Sequence, residues 1–163
     1  MKEQIIELFS ALPDSAATFL IAMIPITEIR ASIPIAITVY EMSPFSALFY
    51  SVLGNIVAGA FVIFFVERIL QSILNMSSFL ENIWQKYINR IHKNNKEKFE
   101  KWGAVILVTF VAIPLPMTGI FTGAVAASIF QIPFRKAWPL LALGSLISGV
   151  IVTIITVGAT NLI

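Results

Sequence analysis

The chain contains no cysteine and only one histidine, His92, among its 163 residues. Disulfides, thiolate metal sites and cysteine nucleophiles are therefore excluded. Charge is scarce as well. Only 12% of residues are charged, against ~25% in ordinary soluble domains. Eleven of the twenty charged residues fall between Glu67 and Lys101. The rest of the chain contains three uncharged runs of 25, 33 and 27 residues, over 42–66, 102–134 and 137–163. A run above ~18 apolar residues belongs in a membrane. The sequence thus rules out a soluble enzyme and predicts an all-α, multi-pass protein of the cell membrane. The net charge of +2 is small and its basic part is local, so no nucleic-acid partner is expected. No metal or other cofactor is expected either. The first residues mix Lys2 with Glu3, Glu7 and Asp14, unlike the positive flank of a cleaved signal, and are expected to stay in the mature protein.

Residues 1–13 place Ile5, Leu8, Phe9 and Leu12 on one helical face, which predicts a short interfacial helix. Pro13-Asp14 ends it, and Asp14 is placed to cap the next helix. Four hydrophobic segments follow, over roughly 15–40, 44–66, 102–132 and 137–160. The second and fourth read as spanning helices, long enough for ~30 Å of hydrocarbon at ~1.5 Å per residue. Their interruptions are small or polar: Gly54-Asn55 with Gly59, and Gly144-Ser145 with Ser148-Gly149. Small residues let helix backbones approach closely in lipid. Asn55 stands out, because a buried amide needs a partner or a ligand.

The first and third segments are broken near their centres. Pro25, Thr27, Glu28, Arg30 and Pro34 interrupt one; Pro114, Pro116 and Gly119 interrupt the other. Each proline removes a helix hydrogen bond and clashes with the preceding turn. The pieces, 16–25 with 31–40 and 103–113 with 120–130, each reach ~15 Å, half a bilayer. This pattern predicts two re-entrant helical hairpins with non-helical tips, tolerated at membrane depth only when buried in protein or facing water.

The two halves repeat. At an offset of 89, Ile24-Pro25 matches Ile113-Pro114 and Pro44-Phe45 matches Pro133-Phe134. With one further residue inserted, Gly54 matches Gly144 and Gly59 matches Gly149. Each unit, 14–66 and 102–163, is then a hairpin plus one transmembrane helix. A unit with a single crossing inverts its copy, as in many secondary transporters. Between the units, residues 67–101 place Ile73, Leu80, Ile83, Trp84, Tyr87, Ile88 and Ile91 on one face and Lys86, Arg90 and Lys93 on the other. This predicts an amphipathic surface helix held by anionic lipids. Its seven Lys/Arg against four Glu predict a cytoplasmic linker. Two hairpins and two crossings put Arg135-Lys136 on that same side; four full crossings put them opposite.

Glu28 and Arg30 are the charges this arrangement forces into the hydrocarbon. A central charge costs at least ~2.5–3.5 kcal/mol on the lenient insertion scale, so it marks a functional candidate. Two residues apart, they share a face only if the backbone leaves the regular helix, as Pro25 and Pro34 favour. The pair has two readings: a mutually neutralising brace for the tip, or a proton or cation carrier at Glu28 beside an anion anchor at Arg30. The opposing tip, Pro114-Leu115-Pro116-Met117-Thr118-Gly119, offers backbone groups, the Thr118 hydroxyl and two half-helix ends. Candidate site residues are Glu28, Arg30, Thr27, Asn55 and Thr118, with Pro25, Pro34, Pro114, Pro116 and Gly119 shaping the tips.

The stretch Ile24-Pro-Ile-Thr-Glu-Ile-Arg-Ala-Ser-Ile-Pro34, with Gly54-Asn55, Val111-Ala-Ile-Pro-Leu-Pro-Met-Thr-Gly119 and Thr122-Gly123, resembles the small multidrug export proteins. Members read closer to Thr-Glu-Leu-Arg-Gly-Ala-Ile-Pro and Pro-Leu-Pro-Gly-Thr-Gly-Ala-Trp-Thr-Gly. Here Ala31-Ser32 replaces Gly-Ala, Met117 a glycine and Phe121 the tryptophan. A more distant resemblance is to the DedA group, which has paired re-entrant hairpins and proton-linked movement of lipid-carrier phosphates. Arg30-x-x-x-Pro34 fits its first tip motif, while Pro114-x-Pro116 lacks the glutamate of the second. These resemblances imply a small secondary transporter, proton- or ion-coupled, that exports small amphiphilic or cationic compounds between the two hairpins. The alternatives are a flippase or scramblase for anionic lipid phosphates and a non-transporting membrane scaffold. The partners expected are membrane lipids, the small-molecule or lipid-phosphate substrate and, through Gly54/Gly59 or Gly144/Gly149, a homodimer. An intramembrane enzyme is not expected, because no nucleophile, paired-acid or metal-ligand constellation is visible.

Overall fold

A computed structural model of the chain describes residues 12–75, 86, 103–115, 118–130 and 132–161. Among these residues there are six helices and no strand. They are α1 (Asp14–Ala22), α2 (Glu28–Thr38), α3 (Pro44–Asn75), α4 (Gly103–Ala112), α5 (Ile120–Ile129) and α6 (Phe134–Thr160). The predicted interfacial helix and most of the linker lie outside the described residues.

Both broken segments divide as the prolines dictate. The residue before a proline is pushed away from the helical region, so α1 stops short of Ile24-Pro25 and α4 short of Ile113-Pro114. The last amides after α1 tighten onto carbonyls three residues back, Met23 N–H to Leu20 (3.0 Å) and Ile24 N–H to Ile21 (3.2 Å), which satisfies part of the helix end. The short pieces span nine to eleven residues, too few to cross a bilayer. By contrast, Pro44–Val66 and Phe134–Thr160 are long and apolar enough to cross one, at roughly 34 and 40 Å.

Three expectations need correction. Pro34 lies inside α2 rather than bounding the tip. Lacking an N–H, it leaves the Arg30 carbonyl without its usual helix donor. Pro13, not Asp14, takes the cap position of α1; Asp14 is the first helical residue and makes no capping bond, although its charge suits the positive helix start. Helix α3 also continues past Val66 to Asn75, so the first residues assigned to the linker extend the spanning helix.

α1 and α2 pack on each other and on α3, and α5 packs on α6. The two halves interlock: α5 also packs on α3, α2 packs on α6, and α3 packs on α6. The long helices run antiparallel. Val52 approaches Gly149, Asn55 bonds Ser145, and Ile63 clusters with Ala137 and Leu141. Contact is close where side chains are missing. A Cβ at Gly54 would fall on the Phe19 carbonyl and lie 3.2 Å from the Ala22 Cβ. A Cβ at Gly144 would lie 2.9 Å from the Val108 carbonyl and 2.8 Å from the Val111 Cβ. In lipid such van der Waals contact replaces the hydrophobic drive that holds soluble helices together. On the outside, Phe61, Phe64, Phe65, Ile154 and Ile155 stand exposed, an apolar surface far larger than a soluble monomer tolerates.

Candidate functional site

The two tips meet. Glu28 opens α2 with φ at 45°, in the left-handed region that a non-glycine residue occupies at a cost of roughly 1–3 kcal/mol. That backbone takes Glu28 out of the regular helix. Its carboxylate Oε2 thereby reaches Arg30 Nη1 at 3.1 Å, which residues two apart in a straight helix cannot do. Glu28 is buried, with 5% of its surface exposed, while a quarter of the Arg30 side chain is exposed.

The carboxylate is seated against the opposite tip. The Phe121 backbone N–H, in the first turn of α5, donates to it. A helix start carries unsatisfied amides and partial positive charge, so it suits an anion. Gly119 makes the approach possible, because a Cβ there would overlap the Glu28 carboxylate. The backbone of Gly119 (φ −105°, ψ −170°) suits any residue; only the space requires glycine. Arg30 Nη2 lies 3.4 Å from Thr118 Oγ1, a long contact that ties the second member of the pair to the same tip.

The two threonines close their tips alike. Thr27 Oγ1 donates to the Ile21 carbonyl at 2.6 Å. Thr118 Oγ1 donates to the Ile113 carbonyl at 2.7 Å and accepts from the Leu115 N–H at 3.2 Å. Each hydroxyl satisfies the carbonyl end of the preceding half-helix. On α5, Thr122 Oγ1 accepts from the Gly119 N–H at 3.0 Å.

The structure thus brings together Glu28, Arg30, Thr27, Thr118 and Gly119. Pro25 is exposed and Pro114 half-buried beside them, and Pro116 lies outside the described residues. Asn55 stands apart from the tips: buried in α3, it donates from Nδ2 to Ser145 Oγ at 3.0 Å, and its Oδ1 has no protein partner. Sequence reasoning missed the Phe121 amide, which no side-chain motif announces, and Ser145 as the partner Asn55 needs. It also missed Ser32 and Ser51, fully buried hydroxyls in apolar helices. Among the described residues no three of His, Cys, Asp and Glu lie together as a metal site.

Two membrane-length helices and two interrupted apolar segments, meeting at one buried ion pair, define a small helical membrane protein. Residues 28–151 match the family described as Putative small multi-drug export protein, and the chain belongs to that family. The match covers Glu28, Arg30, Asn55, Thr118, all of α3 and α6 as far as residue 151. No curated protein and no solved structure matches the chain.

Proposed function

We propose that the protein is a small secondary transporter, coupled to protons or another ion, that exports small amphiphilic or cationic compounds between two re-entrant hairpins. The observation that carries this reading is the Glu28 carboxylate, held by Arg30 on its own tip and by the Phe121 amide and Gly119 on the other. A charge retained at that depth against its insertion cost marks an ion or substrate path. The family name supports export of small compounds.

Alternating access is commonly built from two related halves, and the packing supports an inverted repeat. Gly54 faces Phe19 and Ala22 as Gly144 faces Val108 and Val111, at offsets of 90 for the long helices and 89 for the first half-helices. Asn55 and Ser145 share the offset of 90 and bond each other, as residues on a two-fold axis do. Thr27 and Thr118 share an offset of 91, as do Glu28 and Gly119, so the second tip is two residues longer. Antiparallel α3 and α6 make the relation an inversion. The hairpin topology puts the linker and Arg135-Lys136 on the cytoplasmic side.

The test is reconstitution in liposomes with an imposed pH gradient, following the cationic dye ethidium. Protein-dependent dye movement that is lost in folded Glu28→Gln supports the reading; dye movement unchanged in Glu28→Gln contradicts it. The buried, unpartnered Nε of Arg30 favours a second reading, in which the guanidinium holds an anionic lipid phosphate. Movement of a labelled polyprenyl phosphate that depends on Arg30, with ethidium static, would select it.

A further inference from the structure

In the second half, one leucine from α4 and one from α6 close over a glycine of α5. A Cβ at Gly123 would lie 2.6 Å from Val111 Cγ2, 2.8 Å from Leu141 Cδ2 and 3.9 Å from Leu107 Cδ1, and all three belong to the larger apolar core. The repeat offsets assign to Leu107, Gly123 and Leu141 the residues Thr18, Ser32 and Ser51. All three have no exposed surface. The helices that carry them, α1, α2 and α3, pack on one another, as this correspondence requires. Where the second half packs leucine on glycine, the first half carries three buried hydroxyls at the corresponding positions.

The hydroxyls of Ser32 and Ser51 have no protein partner. Hydroxyls in apolar helices ordinarily turn back onto the carbonyl four residues earlier. Ser128, Thr153 and Thr156 do so, at 2.8–3.0 Å. Ser32 and Ser51 turn away from it. A buried polar group left unpaired is costly, and water is its usual partner where the protein supplies none.

At one end, Ser32 lies four residues after Glu28 in α2. At the other, Thr18 Oγ1 makes the ordinary back-bond, donating to the Asp14 carbonyl at 2.7 Å, and lies 3.3 Å from Met42 Sδ. Close to that end, the buried Tyr40 hydroxyl also has no protein partner, and burial together with the Asp14 charge raises its pKa. Asp14 and Glu41 are exposed. In the hairpin topology this end faces away from the basic linker.

We propose that Thr18, Ser32 and Ser51 form a hydrated proton path from Glu28 to the Asp14–Tyr40 end of the molecule, while the leucine pair seals the second half. A proton arriving as hydronium passes when each hydroxyl or water accepts it on a lone pair and releases its own hydrogen onward. The Glu28 carboxylate gains it, and no other bond changes. Arg30 is the one charged side chain facing Glu28 among the described residues; α4 and α5 bring none. The inference rests on the inverted repeat and deepens the role of Glu28, but it does not depend on which compound is moved.

The native chain has no cysteine, so single thiols report hydration directly. A thiol in dry apolar surroundings stays protonated and inert. In vesicles of one orientation, Ser51→Cys and Ser32→Cys are expected to react with a small water-soluble methanethiosulfonate from the Asp14 side, about tenfold or more faster than Leu141→Cys and Leu107→Cys. Equal rates in the two halves overturn the proposal, as does reaction from the other side alone. The variant Thr18→Leu/Ser32→Gly/Ser51→Leu copies the second half at these three positions, with a net gain of apolar side-chain volume that fills the site. After a rapid drop in pH, the rise of the protonated Glu28 carboxyl infrared band, assigned with Glu28→Gln, is expected to slow by about tenfold or more when water is excluded. An unchanged rate in folded variant contradicts the path. Failure of either measurement leaves the ethidium result and the topology untouched, so the two readings fail separately.

Discussion

Glu28 and Gly119 stand at the start of the second half-helix in their respective halves, one a buried carboxylate and the other without a side chain. They are in contact, and each explains the other. In the proposed inverted repeat these positions meet at the two-fold axis, where two carboxylates would collide and repel. One half therefore supplies the charge, and the other supplies the space and the helix start that receives it. The same division runs deeper. Ser32 and Ser51 are buried in the first half where Gly123 and Leu141 pack in the second. In the proposed inverted repeat, related backbones carry unlike chemistry.

The largest expected effect comes from breaking the charge pair. Arg30→Ala leaves the Glu28 carboxylate buried without its cation. It should destabilise the protein by roughly 2–3 kcal/mol, below the ~3–5 of a fully buried pair because Arg30 is partly exposed. Equilibrium unfolding in mixed detergent micelles measures this. Arg30→Lys should recover only part of the loss, since one ammonium cannot span both Glu28 and Thr118.

Next come the close helix contacts. Gly54→Ala and Gly144→Ala each put a methyl against a backbone carbonyl that cannot move aside, and each should cost about 1–3 kcal/mol by overpacking. Similar losses sharpen the equivalence of the halves; a silent Gly144→Ala beside a damaging Gly54→Ala breaks it. Gly119→Ala belongs to this class in stability, but should also abolish dye movement by pushing Glu28 off the Phe121 amide.

Smaller still is Asn55→Ala, which removes the bond across the axis to Ser145. Hydrogen bonds between membrane helices average about 0.6 kcal/mol, and a double-mutant cycle with Ser145→Ala isolates the coupling. Gly158→Ala is the control. Nothing lies within 4 Å of the added methyl, and alanine favours the helix by up to about 1 kcal/mol, so stability should hold or rise.

Much of this was legible in the residues. Pro25 and Pro114 mark both breaks because proline acts on its own local backbone, and unbroken apolar length marks the spanning helices. Glu28 and Arg30 stand out because charge in a long uncharged stretch has few alternatives to pairing. What was not legible depends on tertiary contact. The seat of Glu28 on the Phe121 amide comes from the opposing tip, 93 residues along the chain, and its left-handed backbone is likewise not written in local sequence. The shift in offset from 89 to 91 between the prolines and the tip threonines hid the match of Glu28 to Gly119. Ser32 and Ser51 read as small packing residues, and only the absence of a protein partner sets them apart.

The central claim is that the halves are inverted copies, each a hairpin and one crossing. Ser43 precedes α3 and Lys136 lies in the first turn of α6; both are exposed. In right-side-out vesicles, a membrane-impermeant maleimide should label Ser43→Cys from outside and Lys136→Cys only after the membrane is opened. Labelling of both positions from the same side would contradict the account.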